Sequence, residues 1–248
     1  MRPTSTWPGI HWWTPRGARA FLWCPSTGRA MAAVLRCRAR SRSVGMPKYS
    51  RKRSPNSGAG ISRTPPGIVL VGYSVGGAIA LHLAAGDRTW PLLGVTVSGI
   101  HHESQRSNDA LKSQPQSSFL EFSREHLLRF MYGPEDTYDP GVLDIAKHAE
   151  SPVPILELVE VAGDRCTDCA GVAARVEVPV HYGLAEHEGF WHSSDESVAA
   201  FGKAFTAAPS VTARRILGGG HNVDHHYVGA AFHKEQLDFA KGLVTPAR

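Results

Sequence analysis

Gly72-Tyr73-Ser74-Val75-Gly76 joins the apolar run Ile68-Val69-Leu70-Val71 to Gly77-Ala78-Ile79-Ala80-Leu81, and this junction restricts the fold more than any other stretch. The run before it is apolar throughout and mostly β-branched, the pattern of a strand buried in a parallel sheet. The Ala-rich segment after it predicts a helix. Gly72 and Gly76 stand where a side chain would collide as the chain reverses. A serine is thereby held at the apex of a sharp turn, with Oγ projecting at the C-terminal edge of the sheet. The helix N-terminus aims free N–H groups and a positive dipole end at the same spot. Exposure, a nearby base and donors for an oxyanion are what a serine hydroxyl requires to attack a carbonyl. A Gly-rich phosphate loop competes with this reading, but no Lys follows and the Walker spacing is absent.

Strand, G-x-S-x-G and helix together resemble the nucleophile elbow of the α/β-hydrolase family. The resemblance implies an α/β fold: a mainly parallel sheet flanked by helices, with a helical cap insertion. It also implies site residues in the order nucleophile, acid, histidine. Val176–Leu184 is similar to the next-to-last core strand and runs into Ala185-Glu186-His187-Glu188-Gly189-Phe190-Trp191. Family members commonly end this strand in a small residue, with the acid three positions later. Ala185 then gives Glu188, and Gly183 gives Glu186. The Gly-Phe-Trp after Glu188 resembles the apolar segment that trails the acid, which favours Glu188 and leaves Glu186 as the alternative. Glu103, after Val95-Thr96-Val97-Ser98-Gly99, is a third candidate.

The base is expected on the loop after the last strand, preceded by glycine. His221, after Val211–Leu217 and Gly218-Gly219-Gly220, matches that position, and Ala230–Leu243 supplies a closing helix. His225 and His226 compete with it. His221 and His225 are four apart, as in a metal pair, yet nothing nearby completes a ligand set. The resemblance therefore implies Ser74 as nucleophile, His221 as base, Glu188 as acid and the N–H of Val75 as one oxyanion donor. A small acyl substrate is expected, such as an ester or thioester, with no metal and no cofactor. Serine as nucleophile argues against the dehalogenase, epoxide-hydrolase and cysteine branches. Cofactor-free haloperoxidases and acyltransferases share the same triad.

The front of the chain breaks the pattern. Thirteen Arg and Lys and no Asp or Glu precede Asp87, so 14 basic residues face all 22 acidic ones from there on. Residues 1–64 are rich in Trp, Pro, Ser and Arg; Ala30–Leu35 is the one sustained apolar stretch, and there is no His-Gly turn, no pair of clean buried strands and no helix of ordinary length. Four readings stand: a transit peptide, an arm for nucleic acid or anionic membrane, divergent strands, or a truncated or wrongly translated front end. The last predicts an incomplete oxyanion hole and makes a catalytically impaired protein the alternative to an active enzyme. Residues 65–248 are expected to form the core.

The cap is expected at about 104–160. Phe119, Phe122, Phe130, Met131 and Tyr132 recur there at near-helical spacing and could line an apolar pocket or pack cap on core. A second helix is predicted over Pro140–Ala149. Cys24, Cys37, Cys166 and Cys169 contain a lone C-x-x-C without a second pair, which fits ordinary reduced thiols better than zinc or a redox motif. No apolar stretch reaches membrane-span length and no secretory signal is evident. The expected location is cytoplasmic, or organellar if residues 1–40 are a transit peptide.

Overall fold

The computed structural model describes Arg19–Trp23, Ala32–Cys37 and residues 67–244, the last with interruptions between 106 and 167. Gly67–Tyr73 (β3) is the strand before Ser74, and Val75–Ala85 (α1) is the helix after it. β3 is interior to a six-stranded sheet. Leu92–Ser98 (β4), Val180–His187 (β7) and Val211–Gly220 (β8) follow it in parallel, in the order β3-β4-β7-β8.

On the other side lie Arg19–Trp23 (β1) and Ala32–Cys37 (β2), in the order β1-β2-β3, with both contacts antiparallel. Residue patterning finds no two clean buried strands before Pro65, yet the structure forms two there, as the reading of divergent strands has it. The two segments, RAFLW and AAVLRC, are five and six residues long. Each carries an arginine, and so short an apolar run inside a basic, acid-free stretch yields no readable period. The rest of the basic head, with its readings as targeting segment or binding arm, lies outside the described residues.

Successive residues of β3 serve opposite faces, as a period of two requires. Leu70 packs with Leu81, Val95, Val97, Tyr182 and Phe201, a core shared by α1, Cys169–Ala174 (α4) and Asp195–Ala204 (α5). Val69 packs against Ala240, Leu237 and Phe239 of Gly229–Gly242 (α6) on the opposite face. The sheet is thus flanked by helices on both sides. Each fully buried aliphatic or aromatic side chain contributes about 1.5–3 kcal/mol of burial free energy.

Between β4 and β7 the chain leaves the sheet. Phe119–Leu120 (β5) pairs antiparallel with Val153–Pro154 (β6), and Arg124–Met131 (α2) and Val142–Ala149 (α3) lie between them. The helix expected from Phe119 begins only at Arg124. Ser123 caps it, its Oγ accepting from the His126 N–H at 3.2 Å, which stops the helix from extending back. Phe119 is 64% exposed, away from any apolar pocket, and Phe122 lies outside the described residues. Among the described residues no helix is long and apolar enough to cross a membrane.

Candidate active site

Strand register assembles the site. Tyr73 pairs with Ser98 as the last residue of β3, so Ser74 is the first residue past the sheet edge. His187 pairs with Gly220 at the far end of β7 and β8, which places Glu188 and His221 side by side one residue further on. Between the preceding pair, Ala185 with Ile216, and this one, β8 uses more residues than β7. The excess is a bulge. Gly218 provides it with φ +71°, a conformation L side chains rarely adopt.

Ser74 has φ 52° and ψ −124°, the one positive-φ non-glycine among the described residues. Such a conformation costs on the order of 1–3 kcal/mol and persists only where the surroundings impose it. The Ser74 N–H donates to the Ser98 carbonyl at 2.9 Å, and the Ser74 carbonyl accepts from Gly77 and Ala78 at 2.8 and 3.2 Å. Helix and strand close tightly behind it: a Cβ on Gly72 would stand 2.4 Å from the Gly76 carbonyl oxygen. The N–H groups of Val75 and Gly76 belong to the first turn, with no intrahelical carbonyl behind them.

His221 Nε2 lies 3.0 Å from Ser74 Oγ, and its Nδ1 lies 2.7 Å from Glu188 Oε1. Glu188 and His221 are both buried, with side chains 0% and 3% exposed. Glu188 Oε1 also accepts from the Phe190 N–H at 3.3 Å, while Oε2 is buried with no hydrogen-bond partner among the described residues. The carboxylate is therefore answered on one oxygen, chiefly by the imidazole. Phe190 stands edge-on to the His221 ring at 4.7 Å and stacks on Phe130 of α2 at 5.4 Å.

The other carboxylates face elsewhere. Glu186 Oε2 accepts from the Gly218 N–H at 2.8 Å and Oε1 lies 3.5 Å from Arg215, so this side chain braces the bulge. Glu103 accepts from Ser197 Oγ at 2.7 Å. That hydrogen bond holds its carboxyl below the usual range, against the effect of burial. His225 Nδ1 meets the Tyr132 hydroxyl at 2.6 Å, and His226 sits between the Asn222 carbonyl and the Gly133 N–H at 2.9 and 3.4 Å.

Tyr73 and Asn222 escaped the sequence reading. The Tyr73 ring lies 5.1 Å from His221, and its hydroxyl donates to Asn222 Oδ1 at 2.5 Å. Burial, with the charges of Asp224 and Glu188, pushes the Tyr73 phenol far above its ordinary value, so it remains a donor. Their only signal is adjacency: each neighbours a site residue in sequence.

No family model matches the sequence, and no curated protein matches it either. Solved structures do. Rv0554 from Mycobacterium tuberculosis superposes with a TM-score of 0.52 at 13% identity, over 69% of this chain and 64% of that one. A thermophilic esterase from Thermogutta terrifontis gives 0.52 at 15% identity, over 71% and 65%. These are α/β-hydrolase structures with the same mainly parallel sheet flanked by helices. This chain has the α/β-hydrolase fold. A monoacylglycerol lipase from Paleococcus ferrophilus matches this fold too, with a TM-score of 0.50 at 13% identity over 71% and 68%. The chain spans just under two thirds of the first two α/β-hydrolase structures, 64% and 65% of their lengths.

Proposed function

We propose that this chain is a serine hydrolase that cleaves a carboxylic ester, thioester or related acyl bond through an acyl-enzyme on Ser74. One observation carries the reading: the continuous line from Ser74 Oγ through His221 to Glu188, with contacts of 3.0 and 2.7 Å. His221 Nε2 takes the hydroxyl proton as Oγ attacks the carbonyl, and Glu188 holds Nδ1–H and stabilises the imidazolium. The tetrahedral oxyanion faces the N–H of Val75. His221 then protonates the leaving group, and a water activated by the same imidazole releases the acid. One oxyanion donor is worth about 10²–10³ in kcat.

The insertion between β4 and β7 acts as a cap, with Phe130 and Phe190 forming the apolar wall nearest the base. The solved neighbours include an esterase and a lipase. At their low identity they speak to the fold, and the site geometry carries the chemistry. Fluorophosphonate labelling and p-nitrophenyl ester turnover test the proposal. Both are expected in the natural chain and lost in Ser74→Ala. Labelling that persists in Ser74→Ala refutes the assignment, and a natural chain that neither labels nor turns over marks a hydrolase-like protein without activity.

A further inference from the structure

A side-chain cluster beside the site carries a different chemistry. His101, His102 and Glu103 follow β4, and each imidazole turns a nitrogen toward one oxygen of the same carboxylate. His101 Nε2 lies 3.8 Å from Glu103 Oε2, and His102 Nε2 lies 3.6 Å from Oε1. The three ligand atoms all fall within 4.8 Å of one another. A tetrahedral ion with bonds of about 2.1 Å separates its ligands by about 3.4 Å; the two imidazoles face different oxygens of the exposed Glu103 carboxylate, so rotation of that side chain must bring one oxygen to both. We propose that His101, His102 and Glu103 form a binding site for a divalent transition-metal ion of the zinc class.

The donor set decides the class of ion. Two imidazoles and one carboxylate suit zinc and its neighbours, whereas magnesium and calcium take oxygen ligands. A metal-binding imidazole needs a partner on its other nitrogen to fix tautomer and ring orientation. His101 has one: Nδ1 lies 3.1 Å from the buried Tyr182 hydroxyl. His102 Nδ1 is buried without a partner among the described residues, so this ring is the less firmly oriented of the two. Ser197 Oγ stands 2.7 Å from both His101 Nε2 and Glu103 Oε2 and must turn aside as an ion enters. The way in is open, because the Glu103 side chain is 49% exposed.

The expectation of no metal rests on the unsupported His221/His225 pair and the lone C-x-x-C; His101-His102-Glu103 lies outside both, and the bend after β4 brings the three together. An ion here also pins a neighbouring loop. The Glu103 carbonyl accepts from the His192 N–H at 3.0 Å and the Gln105 N–H donates to the Phe190 carbonyl at 2.9 Å, so residues 103–105 are laddered to the loop that carries Glu188.

Titration calorimetry of the chelator-treated full chain with zinc chloride tests the site, with thermal unfolding as a second readout. One equivalent is expected to bind at micromolar strength or better and to raise Tm. His102→Ala and Glu103→Gln, both partly exposed and safe for folding, are each expected to weaken binding by about tenfold or more. Absence of stoichiometric binding, or binding that both variants retain unchanged, overturns the proposal.

Discussion

The two loops that meet at Ser74 are held by different parts of the molecule. The Glu188 loop is tied to the short stretch that directly follows β4. Ser104 and Trp191 form an antiparallel bridge, and Trp191 Nε1 donates to the Gly99 carbonyl at 3.1 Å. Gln105 Nε2 reaches the carbonyls of Glu188 and Trp191 at 3.0 and 2.6 Å. The His221 loop is tied mainly to the insertion. The Asn222 N–H donates to the Met131 carbonyl at 2.8 Å and the Tyr227 N–H to Thr137 at 3.0 Å, with Tyr132, Gly133 and Tyr138 against His225 and His226. The acid is thus held by the residues just past β4, beside the nucleophile, while the position of the base depends on a segment further along the insertion. Movement of the insertion reaches the chemistry chiefly through His221, and beside Glu188 only through the Phe130–Phe190 stack.

The largest expected effect concerns the acid. Glu188→Gln should lower kcat by about 10⁴, because an amide cannot hold the productive tautomer or stabilise the imidazolium. Glu186→Gln and Glu103→Gln should stay within about tenfold, since an amide oxygen still accepts from Gly218 N–H or Ser197 Oγ at those sites. Steady-state ester hydrolysis checks this, and a larger loss at Glu186 or Glu103 assigns the acid elsewhere.

Next come the ties themselves. Tyr132→Phe removes a buried partner of His225 on the insertion side, where an unanswered group costs about 1–3 kcal/mol; kcat should fall about tenfold. Gln105→Ala removes two bonds from an exposed side chain on the β4 side and should cost about 0.5–1 kcal/mol in stability, with a few-fold loss in kcat. Urea denaturation and kinetics on the pair measure the asymmetry. Equal kcat losses, or a greater loss from Gln105→Ala, break it.

How far the sequence reached follows the same division. The elbow is local: strand, glycines, serine and helix are consecutive, so residue types alone dictate it. Glu188 and His221 were approachable because each follows a strand whose pattern is readable. The bulge at Gly218 that sets them level was not, since it depends on register between β7 and β8. The ties from Met131 and Tyr132 to the His221 loop join segments some ninety residues apart and leave no periodic trace. β1 and β2 were missed for a compositional reason: their apolar runs are short and sit among arginines. Aromatic spacing alone places the start of α2 too early, because the boundary is set by the Ser123 side chain capping the His126 N–H.

The smallest effect at neutral pH is expected at His226, and it sharpens the comparison by titrating one tie. His226 is 5% exposed; its Nδ1 donates to the Asn222 carbonyl and its Nε2 accepts from the Gly133 N–H. Burial lowers its pKa, the Asn222 carbonyl opposes that, and of the neighbouring charges those of His225 and His187 lower it while that of Asp224 raises it. Tyr132 and Tyr138 complete its surroundings with rings at 5.8 and 5.5 Å. With the folded value below the ordinary one of about 6.5, the unfolded chain binds the proton more readily. The contribution of His226 to stability is therefore fully present above about pH 6.5 and is lost as pH falls toward the folded value. Physically, a proton on Nε2 turns an acceptor into a donor facing the Gly133 N–H, and the insertion loosens from the His221 loop. His226→Gln keeps an acceptor for Gly133 but does not titrate, so its stability deficit, read by urea denaturation, should shrink between about pH 7 and pH 5. A deficit that stays constant or grows as pH falls means that this histidine does not join the base loop to the insertion through a neutral ring.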